Sequence, residues 1–272
     1  MLNLTDIKTI CTKYDIVPSK SKGQNFLIDT NIVGKIITAS NINSSEIVME
    51  IGPGVGVLTG ELVKRAGKLI AVELDRKACE FLRAEFVEEK GFELIEQDVL
   101  RLNRIELGLK NFGYKVVANL PYNITSKFLR LFLEQEPKPS EMVLMVQKEV
   151  AQRMVAKPGE MSLLALSAQL YSEPEILFEV SRNSFWPAPN VDSAVIRLKL
   201  KEKLPNISDK ALFRIAKMGF SARRKQLHNN LSAGLKISSE YAKGAIVSCG
   251  LDEKIRAQDL GVEEWIRLAK KL

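Results

Sequence analysis

The stretch Ile47-Val48-Met49-Glu50-Ile51-Gly52-Pro53-Gly54-Val55-Gly56 decides the fold of this 272-residue chain. An apolar run of strand length ends in a glycine-rich turn, and the spacing after it predicts a helix from about Leu58 to Ala66. A strand, a glycine turn and a helix N-terminus bring backbone N–H groups and a positive dipole end beside a ligand. The next strand, Leu69 to Val72, ends at Glu73, 21 residues beyond Gly52. An acid near that offset binds ribose hydroxyls of nucleotide-like ligands. A third strand, Phe92 to Ile95, ends at Gln97-Asp98.

Two ligand classes compete for such strand ends. A dinucleotide fingerprint needs G-x-G-x-x-G, and here the third glycine, Gly56, falls one position early. The alternative is S-adenosylmethionine, which has ribose and adenine but no phosphates. Asp98 could then accept from the adenine amino group. The plain alternative for each acid is a helix cap or a surface loop.

The fourth strand, Val116-Val117-Ala118, runs into Asn119-Leu120-Pro121-Tyr122. Ligands of open α/β sheets bind at the carboxyl ends of strands. Proline fixes the turn and removes a backbone donor. The Asn119 oxygen and nearby carbonyls are left to accept hydrogen bonds, and Tyr122 offers a flat face for stacking. A nucleobase amino group suits such a pocket. Two acceptors gripping its N–H groups pull a planar, poorly nucleophilic nitrogen toward a tetrahedral one, and no titrating base is needed. Taken alone, the tetrapeptide is a strand end with a packed tyrosine; its neighbours turn the reading toward a site.

The remaining chain reads as a short helix (Leu4 to Tyr14), a helix Asn31 to Ala39 capped by Asp29 or Thr30, a helix Ser126 to Leu133, and a fifth strand Glu141 to Val146. Helices follow over Lys148 to Ala156 and Met161 to Tyr171. Glu175 to Val180 and Asp192 to Leu200 suit a closing strand pair. The stiff loop between them carries Phe185 and Trp186, either as core or as aromatics over the site. Leu204 to Ser208 is the best boundary, dividing the chain into 1–204 and 205–272. Ser208 caps a helix containing Leu212, Ile215 and Gly219, and two more helices span about Ser239 to Cys249 and Val262 to Lys271.

Composition is that of a globular protein, 46% apolar and 27% charged. No apolar run approaches the ~20 residues of a membrane helix, and no signal-peptide pattern opens the chain, so a cytoplasmic protein is expected. Cys11, Cys79 and Cys249 lie far apart and His228 is the single histidine, which argues against a disulfide framework, a metal site or a histidine triad. Of the net charge of +7, residues 205–272 carry +6. The run Arg223-Arg224-Lys225, followed by amides, suits phosphate contacts.

Six segments in order, Gly23-Gln24-Asn25-Phe26-Leu27, Glu50 to Gly56, Glu73, Asp98, Asn119 to Tyr122 and Phe185 to Ser193, resemble the motifs of the ribosomal RNA adenine dimethyltransferase family, nearest its bacterial small-subunit type. The resemblance covers nearly the whole chain. It implies an α/β, Rossmann-like class I methyltransferase sheet with a smaller all-α, basic, rRNA-binding C-terminal domain. It implies S-adenosylmethionine as methyl donor, lined by Asn25, Leu27, Gly52, Gly54, Glu73, Asp98 and Asn119. Catalysis would fall to Asn119, Leu120, Pro121 and Tyr122, with Tyr122 and Phe185 holding a flipped adenine and Arg223, Arg224 and Lys225 on the RNA. The implied product is N6,N6-dimethyladenosine at two adjacent adenosines in a hairpin near the 3′ end of 16S rRNA, in the assembling small subunit. A loop base costs least to flip. A monomer without metal or membrane contact is expected. The alternatives are a binding factor with a vestigial cofactor site, a large-subunit rRNA methyltransferase and a DNA adenine methyltransferase.

Overall fold

The computed structural model describes residues 1–18 and 24–272, so Gly23 of the first motif lies outside it. The chain runs α1 (Leu4–Lys13), β1 (Phe26–Leu27), α2 (Thr30–Ser40), β2 (Ile47–Ile51), α3 (Thr59–Leu62), β3 (Lys68–Glu73), α4 (Arg76–Glu85), β4 (Phe92–Glu96), β5 (Lys115–Asn119), α5 (Thr125–Glu134), β6 (Glu141–Gln147), α6 (Lys148–Met154) and α7 (Leu163–Tyr171). It continues through β7 (Ser172–Val180), β8 (Phe185–Trp186), β9 (Ser193–Leu200), α8 (Asp209–Gly219), α9 (Leu227–Leu235), α10 (Ser239–Ser248) and α11 (Val262–Lys271). Two compact units result, one of Met1–Ala151 with Ser172–Lys201, the other of Gln152–Tyr171 with Glu202–Leu272.

The first unit holds a seven-stranded sheet in the order β4-β3-β2-β5-β6-β9-β7. Strands β2 to β6 pair in parallel, and β9 is antiparallel to both β6 and β7. The parallel strands are apolar because both faces are covered, and Val48, Met49, Ile70, Val116 and Leu144 are fully buried. Connections from β2 lead outward to β3 and β4, whereas β5 and β6 lie on β2's other side. The adjacent carboxyl ends of β2 and β5 therefore form the switch point where open sheets hold ligands. Asp29 caps α2 by accepting from the Asn31 and Ile32 amides, one of the two caps expected.

The helix expected over Leu58 to Ala66 shortens to the four residues of α3. Gly60 weakens it, and the chain must turn back at once, since the Gly67 and Lys68 amides both bond the Glu46 carbonyl. A Cβ on Gly67 would sit 2.5 Å from the Ser44 carbonyl oxygen.

The second unit is discontinuous. Residues 152–171, read from sequence as part of 1–204, belong with the C-terminal helices. The Tyr171 hydroxyl donates to Asp209 at 2.7 Å, its ring stacks on Phe213, and the Gly159 and Met161 amides bond the Gln258 carbonyl. Fully buried Trp265 on α11 packs on Phe220 with ring centroids 5.2 Å apart. The packing leaves no room at Gly219 on α8, where a Cβ would meet the Trp265 ring at 2.5 Å and Leu227 at 2.9 Å. Gly244, exposed within α10, has nothing within 4 Å.

These two helical glycines respond oppositely to alanine. Gly219→Ala destabilises by roughly 1–3 kcal/mol through overpacking, despite its better helix propensity. Gly244→Ala stabilises by about 0.5–1 kcal/mol. Denaturant melts of the two variants check the signs, and equal shifts would contradict the packing.

Candidate active site

A cleft of about 230 Å³ opens at the carboxyl ends of β2, β3 and β5. Its floor is the glycine turn. Gly52, Gly54 and Gly56 all have positive φ, at 65°, 57° and 76°, which other residues adopt only at a cost. Gly54 is also pressed from above, since a Cβ there would lie 2.9 Å from the Phe26 ring. Glu73, at the end of β3, holds this turn. One carboxylate oxygen accepts from the Gly54 amide at 3.0 Å, and the other accepts from the Leu74 and Asp75 amides, each at 2.8 Å. Burial pushes the Glu73 carboxyl up, and these amides pull it back down. At the next strand end Asp98 lines the cleft while capping a short turn through the Leu100 amide. Asp98 thus caps a turn and lines the cleft at once.

The opposite wall is built on β5. Asn119 pairs in register with Met145, and its Nδ2 donates to the Asn25 carbonyl at 3.0 Å. That bond orients the amide, and its oxygen takes no partner among the described residues. The Leu120 amide is spent on the Met145 carbonyl, the Leu120 side chain is buried, and the Ile124 amide and Thr125 hydroxyl bond the Pro121 carbonyl. No described hydrogen bond occupies the Leu120 carbonyl. Tyr122 lines the cleft, and its hydroxyl lies 2.8 Å from Ser193 Oγ. Burial raises the Tyr122 hydroxyl, with Ser193 opposing, so it stays protonated at neutral pH. Ser193 opens β9 and is itself fully buried. The loop before it is clamped by Arg182, whose Nε and backbone N–H both donate to Asp192 Oδ1 and whose Nη1 donates to the Asn190 carbonyl.

Asn25, Leu27, Gly52, Gly54, Glu73, Asp98 and Asn119 to Tyr122 thus meet in one cleft. Phe185 does not join them. It is 3% exposed, pairs with Leu27 in the two-stranded β1–β8 sheet and packs into the core. A base-stacking role needs a free ring face, and this conformation offers none. What β8 does instead is hold the first motif in place, with Phe26 opposite Trp186 and the Ile28 amide on the Ser184 carbonyl. In the second unit Arg223, Arg224 and Lys225 are exposed in the turn between α8 and α9, with no ion pair among the described residues. Asn230 pins that turn through the Gly219 and Ala222 carbonyls. His228 is structural, bridging Gln226 and Ser239. Two residues at the site were read in the sequence only as ends of motifs. Ser193 closes the late-loop motif and Glu50 opens the glycine-loop motif, and neither was given a role of its own.

The lining discriminates between the two ligand classes. Glu50, Glu73, Asp75 and Asp98 are its acidic groups, and no Lys, Arg or His lines it among the described residues. The four-residue α3 supplies only a weak dipole end. A pyrophosphate would meet acids and no cation among the described residues, whereas a ligand with cationic centres, hydroxyls and an adenine amino group finds acceptors. The residues fit S-adenosylmethionine and not a dinucleotide.

Comparison with known proteins agrees. The model of the family described as ribosomal RNA adenine dimethylase matches residues 18–272. A protein named ribosomal RNA small subunit methyltransferase A from Dehalococcoides mccartyi is 41% identical over 264 residues, covering 96% of this chain and 91% of that one. One of the same name from Desulfitobacterium hafniense is 44% identical, covering 90% and 89%. Among solved structures, a dimethyladenosine transferase from Plasmodium falciparum superposes with a TM-score of 0.78 at 27% identity, covering 89% of this chain and 95% of that one. The 23S rRNA methyltransferase ErmE gives 0.72 at 26%, covering 91% and 99%. A glycine turn held by a strand-end acid, an oriented asparagine before Leu-Pro-Tyr, and a profile match across nearly the whole length place the chain in the ribosomal RNA adenine dimethylase family.

Proposed function

We propose that this protein converts adenosine to N6,N6-dimethyladenosine in small-subunit rRNA, at two adjacent adenosines of a hairpin near the 3′ end, during assembly of the subunit. S-adenosylmethionine supplies the methyl group. The observation that carries the reading is the Asn119 amide, whose nitrogen is held by the Asn25 carbonyl so that its oxygen is left to accept. No helix of the described residues is long and apolar enough to cross a membrane.

The chain's part follows from that orientation. Asn119 Oδ1 and the Leu120 carbonyl are two acceptors for the two N–H groups of an adenine amino group. Gripping both tilts the nitrogen lone pair out of conjugation and toward the cleft. An amide has no proton-accepting role near neutral pH, so these groups position the amine and do not deprotonate it. Once the nitrogen gains a methyl it is cationic and loses a proton to water. The monomethylated amine keeps one N–H, enough to be held by one acceptor for the second transfer. Tyr122 supplies the stacking face, and its bond to Ser193 fixes the ring. The exposed cations of the second unit take phosphates, and their preference for small-subunit rRNA is supported by the names of the relatives.

Single-turnover methyl transfer tests the positioning. Asn119→Ala slows both transfers by about 10²-fold or more, the scale of removing one preorganised polar group from a water-poor site, with cofactor binding measured separately. Tyr122→Ala loses roughly 1–3 kcal/mol of stacking. Tyr122→Phe loses only the ~1 kcal/mol of a hydroxyl hydrogen bond. A wild-type rate in Asn119→Ala contradicts the reading.

Replacing Arg223, Arg224 and Lys225 together with glutamine weakens binding to small-subunit rRNA. It also reduces the salt slope by about 0.7–0.9 log units for each phosphate no longer neutralised. Cofactor affinity stays unchanged. An unaltered slope means the three cations face only solvent.

A further inference from the structure

Tyr122 lines the cleft, yet the residue that fixes its ring does not. The tyrosine hydroxyl lies 2.8 Å from Ser193 Oγ, the one hydrogen bond of that side chain among the described residues. The terminal torsion of a tyrosine is broad, so this bond at the far end of the ring sets its plane. Ser193 is a firm anchor. It is fully buried at the head of β9, in register with Gln147 of β6 on one side and Val180 of β7 on the other. Asp192 beside it is held by three N–H groups, its Oδ1 accepting from Arg182 Nε and the Arg182 amide and its carbonyl from the Lys148 amide. Strand β6 also positions the two acceptors. Its Met145 pairs with Asn119 of β5 and with Val195 of β9, and the Met145 carbonyl accepts the Leu120 amide. Acceptors and ring are thus referred to one rigid frame.

The two methyl transfers ask different things of that frame. Adenosine offers two N–H groups, one to Asn119 Oδ1 and one to the Leu120 carbonyl. N6-methyladenosine offers one, so a single acceptor holds it and the nitrogen can swing about that bond. What then keeps the lone pair in line is the plane of the base, and that plane is set by the ring on which the base stacks. Aromatic stacking accepts tilted and offset arrangements, whereas transfer in line tolerates little misplacement. The second transfer therefore depends more than the first on a ring held in one orientation.

We propose that Ser193 is a specificity-determining positioning residue, acting through the Tyr122 hydroxyl to make the second methyl transfer efficient, so that dimethylated and not monomethylated adenosine is the product. The role rests on the dimethylation reading above. In the second step the N6 nitrogen attacks the sulfonium methyl carbon. The N–C bond forms as the S–C bond breaks, the sulfur leaves as a neutral thioether, and the last N–H proton passes to water. Ser193, outside the cleft lining, takes no part in these bonds. Without its hydroxyl the first transfer still has two acceptors. The second loses the constraint that stood in for the missing N–H bond.

The test is a single-turnover reaction with S-adenosylmethionine on small ribosomal subunits lacking the modification. N6-methyladenosine and N6,N6-dimethyladenosine are resolved over time by chromatography of the digested rRNA. The ratio of second to first rate constants is compared for the wild type, Ser193→Ala, Tyr122→Phe and the double variant. Each single variant lowers the ratio about fivefold, the scale of one ordinary hydrogen bond, and N6-methyladenosine accumulates. The double variant also lowers it about fivefold, because both changes remove the same bond, instead of the roughly 25-fold of independent effects. A loss of packing alone slows both transfers equally and leaves the ratio as it was. An unchanged ratio in either single variant, or multiplied effects in the double, overturns the proposal. Should Ser193→Ala not fold, Tyr122→Phe removes the same bond from the cleft side and decides alone. A wild type that leaves small-subunit adenosine unmethylated overturns the dimethylation reading itself, which keeps the two failures apart.

Discussion

One buried carboxylate holds the site together. Glu73 accepts three backbone N–H groups from two segments, the glycine turn after β2 and the turn after β3. Without it the Gly54 amide would be stranded beside an acidic cleft, and the turn, already in left-handed geometry at three glycines, would lose its anchor. A carboxylate offers about four lone-pair directions, so three amides leave capacity for a ligand hydroxyl. The same residue thus shapes the floor and lines the cleft, and its removal would cost stability.

The opposite wall depends on a second long-range link. Asn25 and Asn119 are 94 residues apart, and their bond turns a side chain that could point either way into an oriented acceptor. The small β1–β8 sheet carries Asn25 to this position, and Ser193 at the head of β9 steadies Tyr122. Elements from both ends of the first unit therefore converge on the switch point of the sheet, where the parallel strands leave an opening.

The parallel strands, the glycine turn and the acids at two strand ends were legible because each leaves a local pattern, an apolar run ending in glycine or in a polar residue. Two-residue strands such as β1 and β8 have no period to detect, so Phe185 could not be told as core from sequence. The α3 helix is shorter than its apolar spacing suggests because the return to Glu46 comes too soon, a constraint set by the sheet. The membership of residues 152–171 in the second unit rests on pairings such as Tyr171 with Asp209 and Phe213, which join distant segments. Glu50 was legible only as the head of the glycine-loop motif. Inside Ile47 to Ile51 it reads as one polar letter in an apolar strand, and only the structure shows that it is buried while lining the cleft.

The central claim is that this cleft dimethylates adenosine in small-subunit rRNA. Its most direct test is methyl transfer from labelled S-adenosylmethionine to small ribosomal subunits lacking the modification, followed by mapping of the labelled nucleotides. Label is expected at two adjacent adenosines near the 3′ end of the small-subunit rRNA, recovered as N6,N6-dimethyladenosine. Absence of label from the small subunit, or label confined to large-subunit rRNA, would contradict the claim.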